Sequence, residues 1–101
     1  MTLGSKLRTL RLSRGISIKK LAPELSLNYT YLSKLENDKV IPSEAVIERI
    51  SRYYGYDRDE LMLLADRIPD DIRQILRENP QAALEYLRNR FARDAGSGNT
   101  R

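Results

Sequence analysis

Two residue types that carry much of protein chemistry are missing from this chain of 101 residues. Cysteine is absent, which excludes disulfide bonds and thiolate metal sites. Histidine is also absent, and with it the commonest general base and the commonest metal ligand. The sequence contains no phosphate-binding glycine loop and no constellation of carboxylates or serines suited to catalysis. We therefore expect no metal, no cofactor and no enzymatic activity.

Long apolar runs are missing as well. No stretch approaches the ~20 residues that a membrane-spanning helix needs. The first ten residues, MTLGSKLRTL, lack the apolar centre of a signal peptide. We therefore expect a soluble, cytoplasmic protein without a membrane partner. The length fits one domain with an appended element, and its modest core makes some reliance on a partner chain unsurprising.

The positive charge is unevenly distributed along the chain, whose formal net charge is +4. Residues 1–43 contain eight Lys or Arg and three acidic residues, whereas residues 44–66 contain three Arg and six acidic residues. Residues 67–101 contain seven Arg and five acidic residues. Basic side chains often only solvate helix faces. Their concentration in the first segment matters because the clearest structural motif lies there.

That motif runs from Ser17 to Glu36, SIKKLAPELSLNYTYLSKLE. Leu21, Ala22 and Leu25 have helical spacing after Ser17, and Leu32 and Leu35 have it after Asn28. Only a tight turn fits between the two short helices. Two helices with this spacing form a helix-turn-helix, whose second helix enters the DNA major groove. Pro23 lies inside the first of them and predicts a kink or a tightened geometry.

The remaining pattern predicts an all-α fold of five helices followed by two more. The first helix should span residues 3–14 and end at Gly15 in a left-handed cap. Ser17, Asn28 and Ser43 should cap the second, third and fourth helices. The fifth should start after Asp57 and turn Leu61, with Leu63 or Leu64, towards the core. The fourth helix should bury four residues: Val46, Ile47, Ile50 and Tyr54.

The last third of the chain needs a separate explanation. Pro69 should lie in the first turn of a sixth helix, and Asn79-Pro80 should cap and start a seventh. We expect residues 1–66 to form the DNA-binding domain, 67–95 a helical extension and 96–101 a disordered tail. The extension can bury little against its own chain, so we expect it to dimerise. Packing against the five-helix core is the alternative. The expected dimerisation residues are Ile72, Ile75, Leu76, Leu84, Leu87 and Phe91.

Residues 3–64 resemble the phage-repressor family of DNA-binding proteins (Cro/Xre-type, lambda-repressor-like). The resemblance covers nearly two-thirds of the chain and depends on spacing over five segments rather than on one motif. Those segments are Leu7, Leu10 and Arg11; Gly15-Ile16-Ser17; Leu21-Ala22; Tyr31 to Asn37; and Pro42-Ser43 followed by Tyr56 and Asp59-Glu60-Leu61.

The resemblance implies a role for particular residues. An ion pair between Arg11 and Glu36 should link the first and third helices. The sequence departs from the family at Ile18, where glutamine is usual, and at Ser26 and Asp38, where glycine is usual. Asp38 thereby adds a negative charge near an expected phosphate contact. Base readout is expected from Asn28, Tyr29, Thr30, Ser33 and Lys34. Phosphate contacts are expected from Ser17, Ile18, Lys19, Tyr31, Asn37 and Lys39.

The function implied is sequence-specific binding of double-stranded DNA by a regulator of transcription, most simply a dimeric repressor on a palindromic operator. Prokaryotic or phage origin goes with that resemblance. A second hypothesis is an antitoxin or adaptor that binds another protein through its C-terminal helices and regulates its own synthesis through DNA. An enzyme is disfavoured by the missing histidine and cysteine. Tyr31 can equally be a packing residue, and so, with less support, can Tyr29.

Overall fold

A computed structural model describes residues 1–92 of the chain. These residues form seven α-helices and no strand, which confirms the predicted all-α fold. The chain divides into two compact units, Met1–Arg67 and Ile68–Arg101. We call the first the N-terminal unit, and we call α6 and α7 of the second the C-terminal hairpin. The helices are α1 (Leu3–Ser13), α2 (Ile18–Glu24), α3 (Tyr29–Glu36), α4 (Glu44–Tyr54), α5 (Arg58–Leu64), α6 (Asp70–Glu78) and α7 (Pro80–Phe91).

Side chains start the helices of the N-terminal unit. Ser17, Asn28 and Ser43 each accept a hydrogen bond from a backbone N–H in the first turn of the following helix. Asp57 does the same for α5. Thr2 caps α1 and shares a reciprocal capping box with Ser5. Each cap satisfies N–H groups that have no partner inside the helix.

All five helices of the N-terminal unit end in the same way. One residue takes a left-handed conformation with φ between 57° and 63°, and the next N–H donates to the carbonyl five residues earlier. This is the Schellman motif, in which glycine is the usual left-handed residue. Only Gly15 and Gly55 fit that preference. The other three ends use Ser26, Asp38 and Asp66.

The core of the N-terminal unit joins all five helices. α1 packs against α3, α2 against α3, and α4 against α5. Ala22 is buried, and so are the four residues predicted for α4. The buried apolar residues are Leu3, Leu7, Leu21, Ala22, Leu25, Leu32, Leu35, Val46, Ile47, Ile50, Tyr54, Leu61, Met62 and Ala65.

Three local predictions can be compared with the structure. Of the two alternatives for α5, Leu64 packs against the core beside buried Leu61, whereas Leu63 is 57% exposed on the opposite side of the helix. Asn79 holds the N-cap position of α7 and Pro80 its first position, as predicted, but the Asn79 side chain makes no cap bond to α7 and its Nδ2 donates to the carbonyl of Ile75 in α6. Pro69 precedes α6 rather than lying in its first turn.

Two other expectations need adjustment. The first helix ends at Ser13, one residue early, with Gly15 left-handed as predicted. Pro23 is the next-to-last residue of α2, so the hydrogen bond that it removes belongs to the final turn. The expected disordered tail, residues 96–101, lies outside the described residues.

Candidate nucleic-acid interface

The helix α3 has one face in the core and the opposite face in solvent. Leu32, Leu35 and Glu36 are buried. Tyr29 is 56% exposed, and Thr30 and Lys34 are also exposed. The spacing of residues 29, 30, 33 and 34 places them on one side of the helix. The exposed side therefore offers a phenol, a hydroxyl and an ammonium group, which are donors suited to base edges in the major groove.

Asn28 and Ser33 lie at the margins of this face. Asn28 Oδ1 accepts from Tyr31 N at 2.7 Å, so its carbonyl starts the helix and its amide NH₂ remains on the exposed side. Ser33 is half-buried. Tyr31 is half-buried and packs against the core, in agreement with the packing interpretation of that residue.

The start of α2 exposes basic and polar groups beside α3. Ser17 Oγ accepts from Lys20 N at 3.2 Å, and Lys19 is exposed. Ile18 packs against the core, so its side chain points away from any phosphate and only its backbone N–H is suited to such a contact. The turn between α2 and α3 is fastened by Arg49, whose Nη1 donates to Leu25 O at 2.8 Å and to Ser26 O at 3.3 Å.

Beyond α3 the chain is tied back onto α1. Asn37 Nδ2 donates to Ser33 O at 2.8 Å, and its Oδ1 accepts from Arg8 Nη2 at 3.1 Å. Both ends of the Asn37 amide are thus engaged within the chain. Lys39 is exposed, and its backbone N–H donates to Lys34 O at 2.9 Å in the Schellman motif. Lys39 is the residue of this loop whose side chain is freest to reach phosphate.

A buried ion pair joins α1 to the last turn of α3. Arg11 Nε lies 2.7 Å from Glu36 Oε2, and Arg11 Nη2 lies 2.9 Å from Glu36 Oε1. Arg11 Nη1 also donates to Ile16 O at 2.9 Å. The hydrogen bond with Glu36 raises the pKa of the Arg11 guanidinium above its ordinary value. Glu36 is only 3% exposed, so removal of Arg11 would leave a carboxylate buried without its main partner.

Asp38 makes contacts that sequence reasoning missed. Its Oδ1 accepts from Gly4 N at 2.8 Å and its Oδ2 accepts from Thr2 Oγ1 at 2.6 Å. The hydrogen bonds from Thr2 and Gly4 hold the pKa of the Asp38 carboxyl below its ordinary value. The negative charge expected beside the phosphate contact is therefore directed at the N-terminus of α1.

Gly4 is the second residue that sequence reasoning missed. A Cβ at this position would lie 2.6 Å from Glu36 O and 2.8 Å from Leu35 O. The backbones of α1 and α3 thus approach more closely than any other residue would permit. The only available signal was a glycine in the first turn of a predicted helix, where glycine is intrinsically unfavourable.

The apolar residues of the C-terminal hairpin remain exposed. α6 and α7 pack against each other, and neither helix contains a buried residue. Ile72, Ile75, Ala83, Tyr86 and Leu87 contribute to a groove of about 410 Å³ between the two helices. The exposed fractions are 42% for Ile72, 50% for Ile75, 40% for Leu84, 63% for Tyr86, 42% for Leu87 and 65% for Phe91. Leu76 is half-buried.

No group of three His, Cys, Asp or Glu side chains in residues 1–92 is arranged to hold a metal ion. None of the helices formed by these residues combines the length and the hydropathy of a membrane span.

Comparison with known proteins supplies the family. The chain is similar to a propionyl-CoA carboxylase regulator from Cereibacter sphaeroides, with 34% identity over 74 residues. The alignment covers 72% of this chain and 16% of that relative, so this chain spans about a sixth of the relative's length. No solved structure matches the chain. A family model described as a helix-turn-helix domain matches residues 4–67, well over half of the sequence. The chain therefore belongs to the helix-turn-helix domain family.

Proposed function

We propose that this protein is a sequence-specific regulator of transcription of the Cro/Xre type, which binds double-stranded DNA and acts as a homodimeric repressor. The observation that carries the proposal is the face of α3 that exposes Tyr29, Thr30 and Lys34 while the opposite face is fixed in the core. Membership of the helix-turn-helix family and a relative that is named a regulator support it. A DNA-bound role places the protein in the cytoplasm of a prokaryotic host and requires no catalysis.

In this proposal the base edges are read by one side of α3. Lys34 donates to the O6 and N7 acceptors of guanine. Thr30 hydrogen-bonds a base or contacts a thymine methyl group, and Tyr29 supplies a donor on a flat apolar ring. The Asn28 amide NH₂ and the Ser33 hydroxyl are the two remaining candidates at the margins of the face.

Phosphate contacts in this proposal flank the reading helix on both sides. Lys19 and the free N–H groups at the start of α2 form one flank, beside the capping residue Ser17. Lys39 forms the other flank. Ile18 contributes its backbone alone, and Tyr31 and Asn37 contribute less than Lys39 because their side chains are engaged within the chain. The excess of positive charge in residues 1–43 supports this placement.

Dimerisation is assigned to the C-terminal hairpin. The exposed fractions of its six most exposed apolar side chains add up to about three fully exposed residues. At about 200 Å² for each large residue, the exposed apolar surface is roughly 600 Å². A standard interface buries about 800 Å² on each partner, so a second copy of this surface supplies most of what is needed. Two linked copies place two reading helices on successive turns of the major groove, about 34 Å apart. Repression then follows from occupancy of the operator.

The exposed hairpin also supports a second candidate function. An antitoxin or adaptor would use the same apolar groove to bind a different protein and would keep DNA binding for control of its own synthesis. The two candidates differ in what covers the groove. Sedimentation of the purified chain at micromolar concentration separates them, because the homodimer requires no other protein.

The test of DNA recognition is selection of bound duplexes from a random pool at two salt concentrations. We expect a palindrome whose half-sites lie about one helical turn apart. Lys34→Ala should lose preference at one position of each half-site, whereas Lys39→Ala should weaken binding to all duplexes alike. The two variants are matched, since each removes one ammonium group from an exposed lysine of the same unit. Enrichment of no sequence by the unmodified chain would contradict the proposal.

A further inference from the structure

Three consecutive residues at the end of α3 are held by α1. Arg11 binds Glu36 through two hydrogen bonds, and Arg8 donates to Asn37 at 3.1 Å. Asp38 accepts from the backbone of Gly4 and from the hydroxyl of Thr2. The end of the helix proposed to read DNA is therefore fixed by contacts with residues 25 to 36 positions away in the sequence.

We call the two hydrogen bonds that the Asp38 carboxylate accepts from Thr2 and Gly4 the joint between α1 and α3. The residue takes the left-handed conformation, φ 57°, although it is not glycine. Its two carboxylate oxygens reach two different donors at the N-terminus of α1, whose first turn contains no acidic residue of its own. A carboxylate there interacts favourably with the helix dipole. Because Gly4 lies against the carbonyls of Leu35 and Glu36, the two helices have little room to slide.

We propose that Asp38 is a positioning residue for DNA recognition: it joins the start of α1 to the end of α3 and thereby fixes the orientation in which Lys34 and Thr30 meet the base edges. This inference rests on the proposed function. Asp38 itself contacts no base in this arrangement. Its effect reaches DNA through the pose of α3, on which hydrogen bonds to base edges depend.

Electrostatics alone predicts a different role for Asp38. A carboxylate beside a phosphate-binding loop repels DNA, so its removal would tighten binding to every duplex by the same factor. The positioning role predicts that removal lowers the ratio of specific to non-specific affinity, whatever happens to the absolute values. A lower ratio therefore indicates positioning, whereas an unchanged ratio indicates electrostatic repulsion alone.

The experiment measures the affinity of each variant for the selected duplex and for a scrambled duplex at one salt concentration. Asp38→Gly removes the carboxylate and suits the left-handed backbone, and it should lower the affinity ratio roughly tenfold, the scale of one lost base contact. Asp38→Asn keeps one acceptor for Gly4 or Thr2 and should retain an intermediate ratio. Asp66→Gly is the matched control, because Asp66 has φ 59° in the same motif after α5 and its side chain makes no hydrogen bond to α1 in the described residues. It should leave the ratio unchanged.

A second variant reaches the same joint without altering charge. Thr2→Ala removes the hydroxyl that donates to Asp38, and it should lower the ratio in the same direction. Since it also removes the cap of α1, Ser43→Ala serves as its control, because the Ser43 side chain likewise accepts from the backbone N–H three residues later, at the start of α4. Circular dichroism identifies a temperature at which every variant is folded. Amide hydrogen exchange without DNA should be faster at the end of α3 in Asp38→Gly and Thr2→Ala only.

Three results would overturn the inference. Equal tightening of both duplexes by Asp38→Gly, with an unchanged ratio, would assign Asp38 an electrostatic role alone. If Asp38→Gly lowered the affinity ratio but Thr2→Ala did not, and amide hydrogen exchange at the end of α3 were unchanged, the contact between Asp38 and Thr2 would not be what positions α3. A wild-type ratio close to one would remove the proposed function, and this inference with it. The first two results leave the proposed function intact, so the two failures are distinguishable.

Discussion

The N-terminal unit and the C-terminal hairpin contain apolar residues at similar helical spacing but treat them differently. In the N-terminal unit the stripes of all five helices meet in one core, and each helix starts at a side-chain cap. In the hairpin no residue is buried, and neither helix begins with a side-chain cap. Amphipathic spacing therefore identifies the apolar face of each helix. Whether that face is buried depends on how many neighbouring helices pack against it.

The largest expected effect compares one leucine from each region. Leu32→Ala empties a site that is 1% exposed and should lower the free energy of unfolding by about 3 kcal/mol, within the usual range of 2–5 kcal/mol. Leu84→Ala removes a side chain that is 40% exposed and should cost less than about 1 kcal/mol at concentrations where the chain is monomeric. Denaturant unfolding monitored by circular dichroism measures both. Equal costs would show that the hairpin is as well packed as the N-terminal unit.

The close approach of α1 and α3 gives the next effect. Alanine in place of glycine within an exposed helix usually stabilises it by about 1 kcal/mol. Gly4→Ala should instead destabilise the N-terminal unit by about 1–3 kcal/mol, because the new Cβ would meet two backbone carbonyls that cannot move aside as a side chain would. Thermal unfolding followed by circular dichroism checks the sign. A stabilised variant would show that the two backbones separate easily.

Features that depend on neighbouring residues could be predicted from the sequence, whereas contacts between distant residues could not. The all-α fold and the caps at Ser17, Asn28 and Ser43 follow from local signals, and the structure confirms them. The joint between Asp38 and Thr2 links residues 36 positions apart and has no local signature. The roles of Lys34 and its neighbours in DNA binding stay predictions, since exposure shows what a side chain can reach and not what it binds.

Two residues show what local rules leave open. Residue type alone suited either Leu63 or Leu64 to the core, and in the structure Leu64 packs against it while Leu63 is exposed. Asparagine is a common N-cap, and Asn79 does hold the N-cap position of α7. Its side chain nevertheless donates to Ile75 in α6, because the same residue also ends that helix. A residue that satisfies two local rules cannot be assigned by either of them alone.

The exposed surface of the hairpin offers a test of assembly. Leu87→Asp places a charge beside the groove and should raise the dissociation constant of the proposed homodimer at least about tenfold, equivalent to about 1.4 kcal/mol. Gln81→Asp adds the same charge to an exposed site on α7 outside that groove and is the matched control. Analytical ultracentrifugation over a range of concentrations measures both. A dimer that tolerates Leu87→Asp would have to use another surface.

The smallest expected effect concerns a defect inside the better-packed region. The hydroxyl of Tyr54 is buried and has no hydrogen-bond partner among residues 1–92, and burial raises the pKa of its phenol to about 12. Tyr54→Phe removes the unpaired group while it keeps the ring, and it should stabilise the N-terminal unit by up to about 1 kcal/mol at neutral pH.

The pH dependence sharpens that prediction. A pKa above the ordinary value of 10 means that the native state holds the phenolic proton more tightly than the unfolded state. The resulting contribution to stability is complete below pH 10 and is lost as the pH rises from about 10 to 12. Tyr54→Phe has no such proton, so its advantage over the wild type should grow across this interval in parallel urea titrations. Tyr53→Phe, which alters the neighbouring half-buried ring, is the control. A constant difference between Tyr54→Phe and the wild type from pH 8 to pH 11 would mean that Tyr54 ionises freely, and hence that solvent reaches the core of the N-terminal unit at this point.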